Sequence, residues 1–437
     1  MKAKSNIILL SLAVMLVFSC KKDQTKQQLM QSQKNISAKD ILGNPEYLAI
    51  SYGAYRENSR KVQPTISEIK EDLKIMAAMG IKILRTYNVH FPHAENILRA
   101  IFELKKEDSN FEMYVMLGAW IEAKHAFTDV TEKIRNQDGE RYMPQIDKMI
   151  GNENEMKEAI RLTKQYPDII KILAVGNEAM VHWAAEYFVE PSIILKWVNH
   201  LQELKDIGEL PEELWITSSD NFAAWGGGDM VYHKEDLVKL VKAVDYISMH
   251  TYAYHDTHYT PEYWINDTTE YDTDLQKIEA AMLRAKKYAM SQYDGVKKFI
   301  DSLGIDKPIH IGESGWATQS NGFYGNEGSR ATDEYKAALY YKHLRDWTNE
   351  AGISCFYFEA FDENWKDGGN PGGSENHFGL FTVDGKAKYA LWDLVDKEVF
   401  IGLTRNGKPI TKTYNGNKNE LMKDVLVPDT KTKVVNN

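Results

Sequence analysis

The segment KPIHIGESGWATQS, Lys307–Ser320, decides the fold. Its first half reads as a buried strand in which Ile309 and Ile311 alternate with smaller or polar residues. Glu313 then interrupts the run, followed at once by Ser314, Gly315 and Trp316. A carboxylate inside an apolar run is costly unless it is paired or used. A strand that ends on one therefore has the interior behind it and a polar pocket in front.

The same kind of run recurs along the chain. Short apolar, β-branched stretches occur at Tyr47–Tyr55, Ile81–Val89, Met113–Ile121, Ile170–Ala179, Leu214–Phe222, Ala243–Tyr254, Pro308–Trp316 and Ile353–Glu363. Amphipathic segments separate them. ISEIKEDLKIMAAMG puts Ile66, Ile69, Leu73 and Met76 on one face and stops at Gly80. The segment starting at Pro191 aligns Ile194, Val198 and Leu201, and a third segment opens with Thr332 as its cap and stops at Gly352. Eight strands, each followed by a helix, predict an α/β chain folded as a single (β/α)8 TIM barrel. The alternative is an open, doubly wound sheet. It would want a Gly-rich phosphate turn after the first strand, and SYGAYRENSR has no G-x-G-x-x-G.

The chain has 437 residues, a net charge of −10, 10 Trp and 24 Tyr. The acidity and the lack of a basic stripe argue against nucleic acid as a partner. The N-terminus, MKAKSNIILLSLAVMLVFSC, has a Lys-bearing start and an apolar run too short to span a bilayer. It reads as a signal peptide over 1–19. The Ser19-Cys20 ending resembles a bacterial lipobox, which implies lipidation at Cys20; a plain signal peptide cut elsewhere is the alternative. Residues 20–38 read as a flexible tether and 39–402 as the barrel domain. The stretch 403–437 reads as a polar tail, with a small hairpin in TRNGKPITKTYNG and a mobile remainder. Cys355 falls inside a strand and reads as a small core residue.

Barrel enzymes work at the C-terminal ends of their strands, and polar residues gather there. The second run ends in Arg85-Thr86-Tyr87-Asn88, the fourth in Gly176-Asn177-Glu178, and the fifth in Ser218-Ser219-Asp220-Asn221. The sixth ends in His250-Thr251-Tyr252, the seventh in Glu313, and the eighth in Glu359, Asp362 and Glu363. Two carboxyl groups facing one another across a pocket are what glycoside hydrolysis needs. Glu178 and Glu313 lie far apart in the chain, so only the fold could join them. An isolated Glu at a strand end is otherwise a structural ion-pair partner.

The segments IHIGESGWATQS, AVGNEA, LRTYNV, FYFEAFDENWK and HFGLFTVDGKAKY together, in this order, resemble glycoside hydrolase family 17, in its bacterial and fungal branch. The resemblance spans roughly residues 45 to 395. It implies a retaining glycosidase acting on β-1,3-glucan of the laminarin type, by endo-hydrolysis. Glu313 would be the nucleophile and Glu178 the acid/base. Asn177 would hold the sugar 2-hydroxyl, and Tyr252 would donate to Glu313. Glu363 and Lys366 match the family's acidic residue and lysine after strand eight, where Lys366 would keep carboxylates ionised or bond the sugar. Tyr87, Asn221, His250, Trp316 and Trp365 complete the expected substrate contacts. Trp120, Trp183 and Trp225 are further strand-end aromatics that either stack on sugar or pack the rim. The sequence departs from the family at Ala317, where Pro is usual, and at Asn88, where Gly is usual. Both alter loop stiffness or pocket shape.

His250, His255 and His258 lack the spacing of a metal site, and no metal or cofactor is implied. The implied partner is a β-glucan polysaccharide or oligosaccharide. The expected setting is a monomer in the bacterial cell envelope that meets the membrane only through its lipid anchor. A β-1,3-glucanosyltransferase is the nearest rival reading, and a non-catalytic carbohydrate-binding lipoprotein the more distant one.

Overall fold

The computed structural model describes residues 36–123, 126–127, 149–184, 186–267 and 271–431. The expected signal peptide, Cys20 and nearly all of the tether lie outside the described residues.

Eight parallel strands close into a barrel: β1 (Leu48–Ser51), β2 (Ile81–Arg85), β3 (Tyr114–Ala119), β4 (Ile170–Asn177), β5 (Trp215–Asn221), β6 (Ile247–His250), β7 (Ile309–Gly315) and β8 (Cys355–Phe358). β1 pairs with both β2 and β8, so the sheet has no edge. Each of the eight apolar runs supplies one strand, and the open-sheet alternative is excluded. Strands in such a barrel are buried on both sides, which is why each is an apolar run rather than a strict alternation. Cys355 is buried in β8, and burial pushes its thiol up to about 11.

The connecting helices are α1 (Ile66–Ala78), α2 (His93–Glu107), α3 (Met149–Gln165), α4 (Pro191–Asp206), α5 (Glu235–Ala243), α6 (Asp274–Ser302) and α7 (Glu334–Glu350). α1 begins with a capping box between Thr65 and Glu68 and buries Ile69, Leu73 and Met76. Each such side chain contributes about 1.5–3 kcal/mol by leaving water. α4 carries Pro191 in its first turn and buries Ile194, Val198 and Leu201. α7 is capped one residue later than expected. The Asp333 carboxylate accepts the Lys336 N–H, while the Thr332 hydroxyl donates to the Tyr324 carbonyl.

The segment after Gly402 is not a free tail. Thr404–Arg405 and Lys408–Pro409 form the expected hairpin. Arg405 is fully buried with its Nε 2.8 Å from Asp72 of α1, a carboxylate that also holds Arg56 at 2.7 Å. Further on, the Asn266 N–H donates to the Asp429 carbonyl, and Lys336 Nζ donates to the Leu426 carbonyl at 2.6 Å. The described part of the remainder is thus bonded to the barrel at Leu426 and Asp429. Polar composition hid a segment whose polar groups are satisfied by the barrel wall.

Register irregularities fall where the strand ends matter. They lie between Ala174 and Asn177 on β4, Met249 and His250 on β6, and Ile311 and Ser314 on β7. Such bulges re-aim side chains beside active sites. Here they precede or include Asn177, His250 and Glu313.

Candidate active site

Glu313 sits at the end of β7 and is 6% exposed. Its Oε2 lies 2.7 Å from Arg85 Nη1 and 3.2 Å from His250 Nδ1. Its Oε1 accepts from Tyr252 at 2.9 Å and from Tyr87 at 3.2 Å. Burial alone would raise this carboxyl. The charges of Arg85 and His250, with the bonds from Arg85 and Tyr252, outweigh burial and hold it below the usual glutamate range. Arg85 is fully buried at the end of β2, donates to the Gly312 carbonyl at 2.9 Å, and also bonds the Asn177 side-chain oxygen. It thereby ties the ends of β2, β4 and β7 together.

Glu178 follows β4 and has a positive φ of 44°, an uncommon conformation for a residue with a side chain. Its carboxylate Oε1 is 3.0 Å from the same His250 Nδ1. Two carboxylates from strands four and seven therefore meet one imidazole nitrogen. The far nitrogen of His250 is 2.7 Å from Ser219 Oγ, which is 2.9 Å from Ser248 Oγ. Gly312 makes this possible. A Cβ there would lie 2.5 Å from Ser219 Oγ and 2.2 Å from Ser248 Oγ. The small residue before Glu313 is thus the space that the His250 support occupies.

Asp220, at the end of β5, stands behind Glu178. Its carboxylate accepts the N–H of Met180 at 2.8 Å and that of Asn221 at 2.8 Å. Burial, against those bonds and with the charge of Glu178 adding to it, pushes Asp220 up to about 8.

After β8, Lys366 Nζ lies 2.5 Å from Glu359 and 3.4 Å from Glu363. Burial drives Glu359 well above the carboxylate range, although Lys366 opposes it. Lys366 stays above its own ordinary range because the two carboxylates outweigh its burial. Lys366 thus sits between the two carboxylates, closer to Glu359 than to Glu363. The Glu363 carboxylate also accepts from the Tyr55 N–H and from the Trp365 indole at 3.0 Å. Gly53 lets it in, since a Cβ there would lie 2.2 Å from Glu363 Oε1.

A cleft of about 830 Å³ opens beside Glu313, Glu363 and Lys366. Its walls come from the loops after β1, β2, β3, β4 and β8, and Glu313 forms part of its floor. Tyr87, Asn177, Glu363, Trp365 and Lys366 line it, as does Asn88, one of the two departures from the family pattern. Trp120 lines it too, and its indole donates to Glu122 at 3.2 Å.

Other expected contacts lie elsewhere. Trp316 is fully buried, and its indole donates to the Ala331 carbonyl at 2.8 Å, so it packs the rim and offers no face to a ligand. Ala317 beside it is buried as well. Asn221 turns its side-chain oxygen back to the Ala223 N–H. Trp225 is buried against the Ser248 carbonyl. Of the histidines weighed as a metal set, His255 bonds the Tyr324 hydroxyl at 3.1 Å and His258 stacks on Phe323.

Sequence reasoning missed several cleft residues. Arg60 lies over the Trp365 ring at 4.4 Å. Glu155 of α3 accepts the Val89 N–H at 2.7 Å and the Trp120 N–H at 3.0 Å, which binds the loops after β2 and β3 together. Neither belongs to a strand end, and the strand-end rule was the signal in use.

An ionised carboxylate and a second, partly exposed one, at the mouth of a (β/α)8 barrel beside aromatic walls, define the class of glycoside hydrolases. A sequence profile described as the BtgE/BtgC glycoside hydrolase domain matches residues 49–379, and the chain belongs to this family. Among solved structures it is similar to an endo-laminarinase from Formosa Hel1_33_131, with 61% identity and a TM-score of 0.86 over 92% of this chain and 100% of that one. It shares its fold with a family 17 β-1,3-glucanosyltransferase from Rhizomucor miehei, at 19% identity and a TM-score of 0.53, covering 79% of this chain and 96% of that one. A glucan 1,3-beta-glucosidase of Arthroderma benhamiae is 37% identical over 95 residues, which are 20% of this chain. The match spans 28% of that protein's own length.

Proposed function

We propose that the chain hydrolyses β-1,3-glucan of the laminarin type by endo attack and double displacement, with Glu313 as nucleophile and Glu178 as acid/base. The observation that carries this is the single nitrogen, His250 Nδ1, within 3.0 Å of Glu178 and 3.2 Å of Glu313. The two nearest carboxylate oxygens are no farther apart than those distances together. That fits the roughly 5–5.5 Å of retaining enzymes better than the roughly 6.5–9.5 Å that inverting enzymes leave for a water. The likeness to the Formosa endo-laminarinase over its whole length supports the substrate and the endo mode.

In the first step a Glu313 oxygen bonds to the anomeric carbon as the glycosidic C–O bond breaks. Glu178 passes its proton to the departing oxygen. In the second step water attacks the same carbon, Glu178 takes the water's proton, and the Glu313 ester bond breaks. The stereochemistry is retained, and no electrons leave the system. Arg85, His250 and Tyr252 keep Glu313 ionised for attack. Asn177, held by Arg85, faces the cleft where it can bond the sugar beside the reacting carbon.

The chain acts as a monomer and is held at the bacterial cell envelope by lipid on Cys20, a reading supported by the lipobox-like end of its N-terminal apolar run. Incubation with linear and branched laminarin, with product sizes followed in time, tests the function. Early release of mixed oligosaccharides is expected. Products longer than the substrate would mean transfer instead, and no turnover would sink the reading.

A further inference from the structure

An endo-acting site must carry glucan on both sides of the bond it breaks. The cleft lies along the β1–β4 and β8 arc of the barrel mouth. None of its walls comes from the loops after β5 or β6, and β7 gives it only Glu313. The other part of the chain needs a surface on that unused arc.

The loops after β6 and β7 carry such a surface. Phe323 is 58% exposed and Tyr259 is 66% exposed, large rings left in water at a cost that burial elsewhere would remove. His258 stacks on Phe323 at 4.3 Å and 11°, and its ring is 4.9 Å from that of Tyr259. From there ring contacts lead inward. His258 meets Tyr324, Tyr324 meets His255, and His255 lies 5.0 Å from Tyr252, which donates to Glu313. The platform is held in place, because the Phe323 carbonyl accepts the Ser329 N–H at 2.8 Å and the Tyr324 carbonyl accepts the Thr332 N–H at 3.1 Å. With the loop backbone fixed and the Phe323 ring stacked on His258, less freedom is lost when a sugar face stacks there.

We propose that Phe323 and Tyr259, backed by His258, form an aromatic ledge that binds the part of a β-glucan chain beyond the cleavage point, opposite the cleft. The inference rests on the glucan-hydrolase reading above. The class of ligand is a neutral sugar chain, since the exposed surface is rings rather than charges.

The test compares two substrates in wild type, Phe323→Ala, Tyr259→Ala, Phe323→Trp and Trp183→Ala. One is an aryl β-laminaribioside, whose leaving group ends at the scission point. The other is a linear β-1,3-glucan oligosaccharide long enough to cross it. Removal of either ring is expected to lower kcat/KM on the long substrate about three- to tenfold, with under a twofold fall on the aryl substrate. Phe323→Trp should keep wild-type behaviour. Equal falls on both substrates, no fall on either, or the effect appearing only in Trp183→Ala would overturn the ledge. A wild type inactive on β-1,3-glucan would overturn the functional reading and the ledge with it. An active wild type with indifferent ring variants would remove the ledge alone.

Discussion

Glu313 and Glu178 are the same residue at the ends of two strands of one barrel, yet their surroundings differ. Glu313 is 6% exposed and takes contacts from Arg85, His250, Tyr87 and Tyr252. The Glu178 side chain is 24% exposed, and its backbone sits at positive φ in a turn held from behind by Asp220. With the roles proposed above, the difference teaches how one barrel would assign two jobs to one side-chain type. A nucleophile must be charged before substrate arrives, so its charge is met in advance by fixed donors. A group that gives and then takes a proton needs access and fewer bonds to its ionised form.

The largest break in this comparison comes from deleting each carboxylate and offering a small external anion. Glu313→Ala should lose on the order of 10⁴-fold in kcat on laminarin, and azide should restore turnover as an α-glycosyl azide. Glu178→Ala should lose about 10²- to 10⁴-fold on laminarin and much less on an aryl glycoside with a good leaving group, with azide giving the β-glycosyl azide. Chromatography and NMR of the azide products decide the matter. Exchanged anomers would exchange the two roles.

A middle-sized effect sharpens the comparison through Arg85. Its charge is the largest influence lowering Glu313 against burial. Arg85→Gln should therefore raise the Glu313 carboxyl and move the acid limb of the kcat/KM profile to higher pH, with a loss of about ten- to a hundredfold at neutral pH. The pH profile separates this from loss of fold, which would lower the rate without moving the limb.

Much of this was legible in the sequence, and what was not has physical reasons. The eight strands could be read because buried parallel strands are near-continuous apolar runs. Glu178 and Glu313 stood out because barrel sites gather at strand ends and both lay in matched motifs, and the fold brings both to His250. Trp316 stood in the same motif and misled. No periodicity tells which way a ring turns once a strand has ended, and its N–H found the Ala331 carbonyl. Arg405 looked like tail polarity because its partner Asp72 lies 333 positions away, and only the closed barrel brings them together. Thr332 was a sound capping residue displaced by a neighbour with a better acceptor.

The smallest effect on activity lies at the other end of β7, three residues before Glu313. His310 is 5% exposed, its Nδ1 accepts the Ser354 N–H at 3.1 Å, and burial lowers it to about 4. It is thus buried neutral, whereas Glu313 is buried charged. One strand holds both solutions, the uncharged one at the end that serves stability and the charged one at the end that serves chemistry. The sign for stability follows. Below pH 6.5 the unfolded chain takes up a proton that the folded imidazole refuses, so stability is full above that value and falls as pH drops toward 4. His310 alone should cost about 1.5 kcal/mol between pH 6.5 and 5. His310→Asn, which can present an acceptor to the same N–H, should flatten the Tm-against-pH curve over that window and leave the acid limb of activity where Glu313 sets it. A variant that flattened neither curve, or moved the activity limb, would show that the two ends of β7 are not independent.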